Sequence, residues 1–178
     1  MLDNLKADIG RYIRNPKDRR NIYLLFEQGI WAIVAYRFSR WAYSIKIPLV
    51  SLILRIISFF WFKSIEMTTG ISIPASANIK KGLYVGHFGT IILHSDVEIG
   101  ENCSIGPGVI IGSKGVGVDG VPVIGNNVYI GTGAKVLGGV YIGNNVRIGA
   151  NAVVLKSVPD NCTVVGVPAR VVKGKETP

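Results

Sequence analysis

Cysteine and histidine are both scarce in this chain of 178 residues, which contains two of each. Cys103 and Cys162 lie in separate Gly/Asn-rich turns without metal-ligand spacing, which predicts reduced, packed thiols rather than a disulfide framework. His87 and His94 are seven residues apart and make a poor ligand set, so the sequence predicts no metal site. The first residues, MLDNLKADIG, lack the apolar core of a signal peptide, which predicts a cytoplasmic protein.

Acidic residues are also few, with 11 Asp and Glu against 20 Lys and Arg and a formal net charge of +9. Such an excess is typical of proteins that meet a nucleotide cofactor, nucleic acid or an anionic membrane face. Residues 1–68 carry a net charge of +6 and residues 69–178 a net charge of +3. No block of five basic residues occurs, and aromatic residues do not alternate with Lys or Arg, which argues against nucleic acid.

Glycine, by contrast, is abundant, with 22 residues, and seven of them belong to a repeat of six residues. From Ile99 onward an aliphatic residue returns at every sixth position, and most of these residues are followed by Gly. A period of six matches neither a helix nor an alternating strand, and it fits a coil of short strands and turns. Turn pairs such as Asn126-Asn127 suit the left-handed backbone angles that such a coil requires. The aliphatic positions are Ile99, Ile105, Ile111, Ile124, Ile130, Val136, Ile142, Ile148 and Val154.

One insertion interrupts this register, because Ile111 and Ile124 are thirteen residues apart. The inserted sequence, GSKGVGVDGVPV, is rich in glycine and carries Lys114 and Asp119, which predicts a loop that projects from the coil. Loops held by a rigid scaffold commonly carry function, and a neutral insertion is the alternative interpretation. Looser spacing upstream predicts the first coils around Ile73, Ile79, Val85 and Ile91.

The part of the chain before the repeats is predicted to be helical. Asp3–Arg14 is consistent with one short helix that ends at the Asn15-Pro16 turn, and residues 21–43 are rich in apolar and aromatic side chains. The predicted organisation is a helical region over 1–68, a β-helix over 69–172 with a loop at 112–123, and a tail over 173–178.

A strongly apolar run, IPLVSLILRIISFFWF, occupies residues 47–62 and contains Arg55. A membrane span needs roughly twenty apolar residues, so this shorter run is not predicted to cross a bilayer. One interpretation is a helix packed beneath the coil or in a subunit interface. The other is a membrane-surface helix flanked by Lys46, Arg55 and Lys63, which would associate the protein with the inner face of the membrane.

Four stretches of the sequence resemble the left-handed β-helix acyltransferases and, among them, the serine O-acetyltransferases. These stretches are ADIGRYIRNPKD, GIWAIVAYRFSRWAY, ISIPASANIKKGLYVGHFGTIIL and GANAVVLKSVPDNCTVVGVPARVVKG. The resemblance implies a mainly β fold, a left-handed parallel β-helix of hexapeptide repeats preceded by a short α-helical region. It also implies an acetyl-CoA-dependent O-acetyltransferase that forms a homotrimer with active sites between subunits.

Transfer of an acetyl group from a thioester to a hydroxyl requires a base and a donor that stabilises the oxyanion. His87, in the sequence VGHFG, stands where the family keeps its base and is the predicted catalytic residue. His94 is a second candidate, either for catalysis or for acceptor contact. Gly112 and Ser113 begin the loop and are candidates for the oxyanion donor and for cofactor contact.

The acetyl-CoA phosphates are expected to meet basic residues and backbone N–H groups near the closing coils. Lys156, Arg170 and Lys173 are the basic candidates in that region. Small residues would permit the pantetheine arm to approach the coil closely, and the candidates are Gly131, Ala134, Gly149 and Ala150.

Five positions depart from the serine O-acetyltransferase pattern. The residue before the base is Gly86 instead of Asp, and the carboxylate that orients the base aligns with Ser72. Gly120 and Val121 take the places of an Arg and a His in the loop, and Asn15 takes the place of an Asp. A desolvated ammonium group needs a compensating carboxylate, so these positions argue against serine as the acceptor.

The same departures resemble the branch of the family found with exopolysaccharide, capsule or colanic-acid synthesis, whose members are thought to acetylate sugar hydroxyls. We therefore expect a glycan acceptor from a surface polysaccharide or its precursor, contacted by Ser72, Asn15 and Phe88. Two alternatives stay open: a serine O-acetyltransferase of cysteine biosynthesis with a rearranged site, and a non-catalytic β-helix scaffold.

Overall fold

Three helices and a prism of short strands make up the computed structural model, which describes residues 1–13, 19–115, 117 and 120–173. The helices are α1 (Leu2–Gly10), α2 (Gln28–Ser44) and α3 (Pro48–Thr69), and a 3-10 helix covers Arg19–Phe26. The strands of the first two coils are β1 (Ile71–Ser72), β2 (Asn78–Ile79), β3 (Tyr84–Val85), β4 (Ile91–Leu93), β5 (Glu98–Ile99) and β6 (Ser104–Ile105). The strands of the later coils are β7 (Ile110–Gly112), β8 (Val123–Ile124), β9 (Tyr129–Ile130), β10 (Lys135–Leu137), β11 (Tyr141–Ile142), β12 (Arg147–Ile148), β13 (Val153–Val154), β14 (Thr163–Val165) and β15 (Arg170–Lys173).

The strands stack into three parallel sheets, which form the faces of the prism. Face A has the order β1-β4-β7-β10-β13, face B has β11-β8-β5-β2, and face C has β15-β14-β12-β9-β6-β3. Leu93 pairs with Ile111 and Val136 pairs with Val154, so one regular coil takes eighteen residues, or three hexads. The predicted fold class is confirmed: the chain is a left-handed parallel β-helix preceded by helices.

The hexad positions form the core of the prism. All nine aliphatic residues from Ile99 to Val154 that define the period are buried, and so are the side chains of Cys103 and Cys162, which form no disulfide within the described residues. The turns use asparagines with positive φ, and the Asn127 amide donates to Asn145, whose amide donates in turn to Asn161. A ladder of side-chain hydrogen bonds therefore runs along one edge of the prism in addition to the backbone ladders.

The first two helices cover the open end of the prism, where the first coil has no preceding coil to pair with. The Tyr36 hydroxyl donates to the carbonyl of Ala77 at 2.8 Å and accepts from the N–H of Ile79 at 3.1 Å. Arg37 donates to the carbonyls of Ile79 and Lys80. These side chains satisfy backbone groups that an uncovered sheet edge would leave unpaired.

The helix boundaries differ from the sequence expectations in two places. The helix expected over Asp3–Arg14 ends at Gly10, because Arg11 and Tyr12 turn away to bond the prism through Gly82 and Val85. The apolar run at 47–62 belongs to the longer helix α3, which ends at Thr69 with Gly70 in the left-handed conformation. Within the described residues, α3 is the one helix long and apolar enough to cross a membrane by length and composition.

Candidate functional site

His87 lies in the turn between β3 and β4, at the edge where face C meets face A. Its φ of 62° is unusual for a residue with a side chain, so the surrounding contacts must hold this backbone conformation. The N–H of Gly86 donates to Ile105 on the next coil, and the N–H of Gly89 donates to Thr69 at the end of α3, both at 3.0 Å. The turn is thus fixed from two sides while the imidazole remains exposed.

No carboxylate orients this imidazole within the part of the chain that the structure describes, where no side chain is hydrogen-bonded to His87. A Cβ at position 86 would lie 3.3 Å from Cε1 of Tyr84, so that ring would have to shift by a few tenths of an ångström. The Tyr84 ring is in turn held against Tyr12, with ring centroids 4.5 Å apart. A larger side chain before His87 would therefore lie against this aromatic pair.

The sequence interpretation missed a carboxylate, Glu66, in the last turn of α3. Its pKa is lowered by hydrogen bonding from Lys63, whose Nζ lies 2.6 Å from Oε2, and then by hydrogen bonding from Ser72. The Ser72 side chain, a predicted acceptor contact, therefore lies close enough to Glu66 to affect its pKa. A sequence signal for Glu66 exists, because it is the one acidic residue between positions 28 and 95. Glu66 is thus an ionised carboxylate near Ser72, with Lys63 as its partner.

The other two predicted acceptor contacts are Phe88 and Asn15, and the structure describes only Phe88. Phe88 follows His87 directly and is exposed, so its ring is available to a bound molecule. Asn15 lies outside the described residues.

His94 lies at the opposite edge of face A, in the turn that follows β4. Its Nδ1 accepts a hydrogen bond from the N–H of Asp96 at 3.2 Å. The Asp96 carboxylate is 3.9 Å from the same nitrogen and forms an ion pair only after the ring is protonated.

The candidate cofactor residues are divided between these two edges. Gly131, Ala134, Gly149 and Ala150 lie in turns stacked above the His87 turn, whereas Gly112 and Ser113 lie at the His94 edge. A Cβ at Gly131 would lie 2.8 Å from the Ala150 nitrogen, so close stacking of coils already requires this glycine. The side chain of Ala134 is fully buried in the core, which leaves only its backbone to contact a ligand.

The loop after β7 is directed towards the closing coils. The Lys114 side chain lies across Gly138, where an added Cβ would be 2.7 Å from Cε of Lys114. The Nζ of Lys114 donates to the carbonyl of Leu155 at 3.2 Å. Lys156, which follows Leu155 in the chain, lines a cleft of about 480 Å³ together with Arg170. Two of the three predicted phosphate contacts therefore share one cleft, and the side chain of Lys173 lies outside the described structure.

Comparisons with known proteins point to one group of enzymes. Residues 122–156 match the family described as bacterial transferase hexapeptide (six repeats). The serine acetyltransferase of Synechococcus elongatus is 37% identical over 176 residues, which cover 97% of this chain and 69% of that protein. The serine acetyltransferase of Bacillus subtilis is 34% identical, with coverage of 94% of this chain and 76% of the relative.

Solved structures give the same result. Serine acetyltransferase from Brucella abortus strain S19 in complex with coenzyme A has a TM-score of 0.82 at 32% identity, covering 96% of this chain and 67% of that one. The Neisseria gonorrhoeae enzyme in complex with serine has a TM-score of 0.77 at 31% identity, covering 97% of this chain and 69% of that one.

These relatives show that the expectation of a glycan acceptor, and of the polysaccharide branch of the family, is wrong. The similarity extends over nearly the whole chain, including the helices, and the relatives are serine acetyltransferases. The expectation rested on missing charges at five aligned positions. Charge at a site is set by every residue that reaches it, and Glu66 reaches Ser72 from another element.

Proposed function

The chain belongs to the serine acetyltransferase family and is an acetyl-CoA-dependent O-acetyltransferase; we propose that its acceptor is the hydroxyl group of L-serine. The observation that carries this proposal is the 37% identity to a serine acetyltransferase over 97% of the chain.

In the proposed reaction, the His87 imidazole takes the proton of the serine hydroxyl as the oxygen attacks the thioester carbonyl carbon. The tetrahedral intermediate then collapses, the carbon–sulfur bond breaks, and the imidazolium returns a proton to the leaving thiolate of coenzyme A. The products are O-acetylserine and free coenzyme A. The fixed turn supports this role, because it presents an exposed imidazole at a defined place on the prism edge.

Glu66 is proposed to contribute negative charge to the acceptor site. An amino-acid ammonium group that leaves water requires a carboxylate partner, and the aligned position Ser72 offers only a hydroxyl. Hydrogen bonds from Lys63 and Ser72 lower the pKa of Glu66, so it is ionised at neutral pH. Glu66→Gln is therefore expected to raise the KM for serine more than the KM for acetyl-CoA.

The donor is proposed to bind along the prism, with its phosphates near Lys156 and Arg170. The candidate residues lie on both edges of face A within one chain, and a single prism holds these edges apart. A homotrimer, in which an edge of one subunit meets a different edge of its neighbour, would join the two groups into one site. We include this trimer in the proposal.

Coenzyme A release in the presence of L-serine or of L-alanine, which lacks the hydroxyl, tests the acceptor. We expect turnover with L-serine, with O-acetylserine detected by mass spectrometry, and background release with L-alanine. Binding of acetyl-CoA without turnover of L-serine would refute the acceptor assignment.

A further inference from the structure

Helix α3 has its polar side inward and its apolar side outward. The residues it buries against α2 and β1 form a narrow stripe of Ser51, Ser58, Ile65 and Thr69, most of them small and polar. Its amino-terminal half exposes large aliphatic and aromatic side chains to solvent instead. These exposed residues are Leu49, Val50, Leu52, Ile53, Ile56, Ile57, Phe59 and Phe60.

The exposed residues form one continuous face. At 100° per residue they cover about half of the helix circumference. In the most apolar 18-residue stretch of α3, only 11% is buried. An exposed apolar patch of this extent marks a site of interaction with a membrane or another protein. We define this surface, the exposed side chains between Leu49 and Phe60, as the α3 face.

Charge indicates what covers the α3 face. From residue 28 to residue 65 the chain carries five basic residues and no acidic residue. Three of the five, Lys46, Arg55 and Lys63, are exposed on or beside α3, and Lys63 alone among them is paired with a carboxylate, that of Glu66, within the described residues. A second copy of this face would bring like charges together, whereas an anionic lipid surface is complementary to them.

The neighbouring surface also has features that suit a lipid interface. Trp41 and Tyr43 are exposed on α2, and the Arg55 guanidinium lies 5.0 Å from the centroid of the Tyr43 ring. Amphipathic rings beside basic groups are typical of the boundary between headgroups and acyl chains. A cleft of about 800 Å³ opens between α2 and α3, lined by Arg40, Tyr43, Phe59 and Phe62 among others.

The packing of α2 argues for a helix that lies in the interface rather than one that spans the bilayer. Helix α2 runs beside α3 and carries Arg37, which is paired with Asp8 and buried. A spanning α3 would carry this ion pair and the attached prism edge into the hydrocarbon, at a high energetic cost.

We propose that the α3 face docks the protein on the surface of a bilayer rich in anionic phospholipid, with the helix axis parallel to the membrane plane. The inference is independent of the identity of the acetyl acceptor. It accounts for the inverted polarity of α3 and for the one-sided charge of the segment that contains it.

Co-sedimentation of the full chain with vesicles tests the proposal. The vesicles are either pure phosphatidylcholine or phosphatidylcholine with about one-third phosphatidylglycerol. We expect binding to the anionic vesicles, weaker binding to the neutral ones, and release as the salt concentration rises. The double variant Ile53→Glu/Ile57→Glu is expected to bind anionic vesicles at least about tenfold more weakly, since it places two carboxylates in the α3 face.

Tyr141→Glu is the matched control, because Tyr141 is equally exposed but lies on face B of a later coil. It is expected to bind vesicles like the unmodified chain. Circular dichroism confirms that each variant is folded, and light scattering measures its mass. No binding by the unmodified chain, or equal binding by the double variant, would overturn the proposal. A double variant that lowers the oligomer mass while no form of the protein binds vesicles would overturn it in favour of a second copy.

Discussion

The hydroxyl group of Tyr12 donates to the carbonyl of Val85 at 2.8 Å and accepts from the N–H of the same residue at 2.9 Å. Val85 belongs to β3, two residues before His87, and has no neighbouring strand on that side. One side chain after α1 thus satisfies the open edge of the strand that carries the candidate base. Burial raises the pKa of the Tyr12 hydroxyl, which keeps it protonated and able to donate.

Tyr12→Phe is expected to lower the free energy of unfolding by about 1–3 kcal/mol, because it leaves two buried backbone groups of Val85 without a partner. Urea denaturation measures the change. Tyr141→Phe removes an exposed hydroxyl and is expected to change stability by less than about 0.5 kcal/mol. Equal effects of the two substitutions would show that the Tyr12 contact contributes no stability.

Arg37→Met breaks the buried ion pair between Arg37 and Asp8, whose side chains are 3% and 0% exposed with Nε and Oδ2 2.8 Å apart. We expect a loss of about 3–5 kcal/mol, because Asp8 would keep a buried, unpaired charge. Asp8→Asn in the same chain should restore part of this loss. Lys81→Ala, which breaks an exposed pair with Glu101, should cost less than about 1 kcal/mol. A small loss for Arg37→Met would contradict the interpretation.

Burial raises the pKa of the Cys103 thiol from 9.0 to about 11. The unfolded chain releases this proton first as the pH rises, so the stabilising contribution is complete below pH 9 and decreases towards pH 11. The difference in unfolding free energy between the unmodified chain and Cys103→Ala should fall by about 2 kcal/mol over this interval. A difference independent of pH would show that the thiol titrates normally.

Lys156 and Arg170 line the same cleft, and each is expected to meet a phosphate of acetyl-CoA. Lys156→Ala and Arg170→Ala should each raise the KM for acetyl-CoA several-fold, with a smaller effect on the KM for serine. The increase should shrink at high ionic strength, where exposed charges are screened. Arg147→Ala, which removes an arginine stacked over Tyr129, serves as the control and should leave both KM values unchanged.

The regular part of the fold was predictable because its chemistry is local. A residue such as Ile105 recurs at a fixed period and precedes a glycine, so its inward position follows from the repeat alone. The pairing of Arg37 with Asp8 joins residues 29 positions apart, and no periodicity encodes it. The same applies to Tyr12 and Val85, which are 73 positions apart.

The candidate site was less predictable than the coil. The sequence identifies His87 by its motif, but the two hydrogen bonds that fix its turn come from Ile105 and Thr69 on other elements. It leaves Glu66 unnoticed, because the approach of this residue to Ser72 depends on how α3 ends against β1. The sequence also leaves open whether the apolar run of α3 is packed or exposed, because the burial of Ser51 and Ser58 depends on the packing partner.

The rate of acetyl transfer to L-serine in His87→Asn, compared with His94→Asn, tests the proposed mechanism most directly. The mechanism predicts that His87→Asn loses about 10²–10⁴-fold in kcat while calorimetry shows unchanged binding of acetyl-CoA. His94→Asn, whose ring is engaged with the Asp96 backbone, should retain a kcat within a few-fold of the unmodified chain. A His87→Asn variant with nearly full activity would contradict the assignment of His87 as the base.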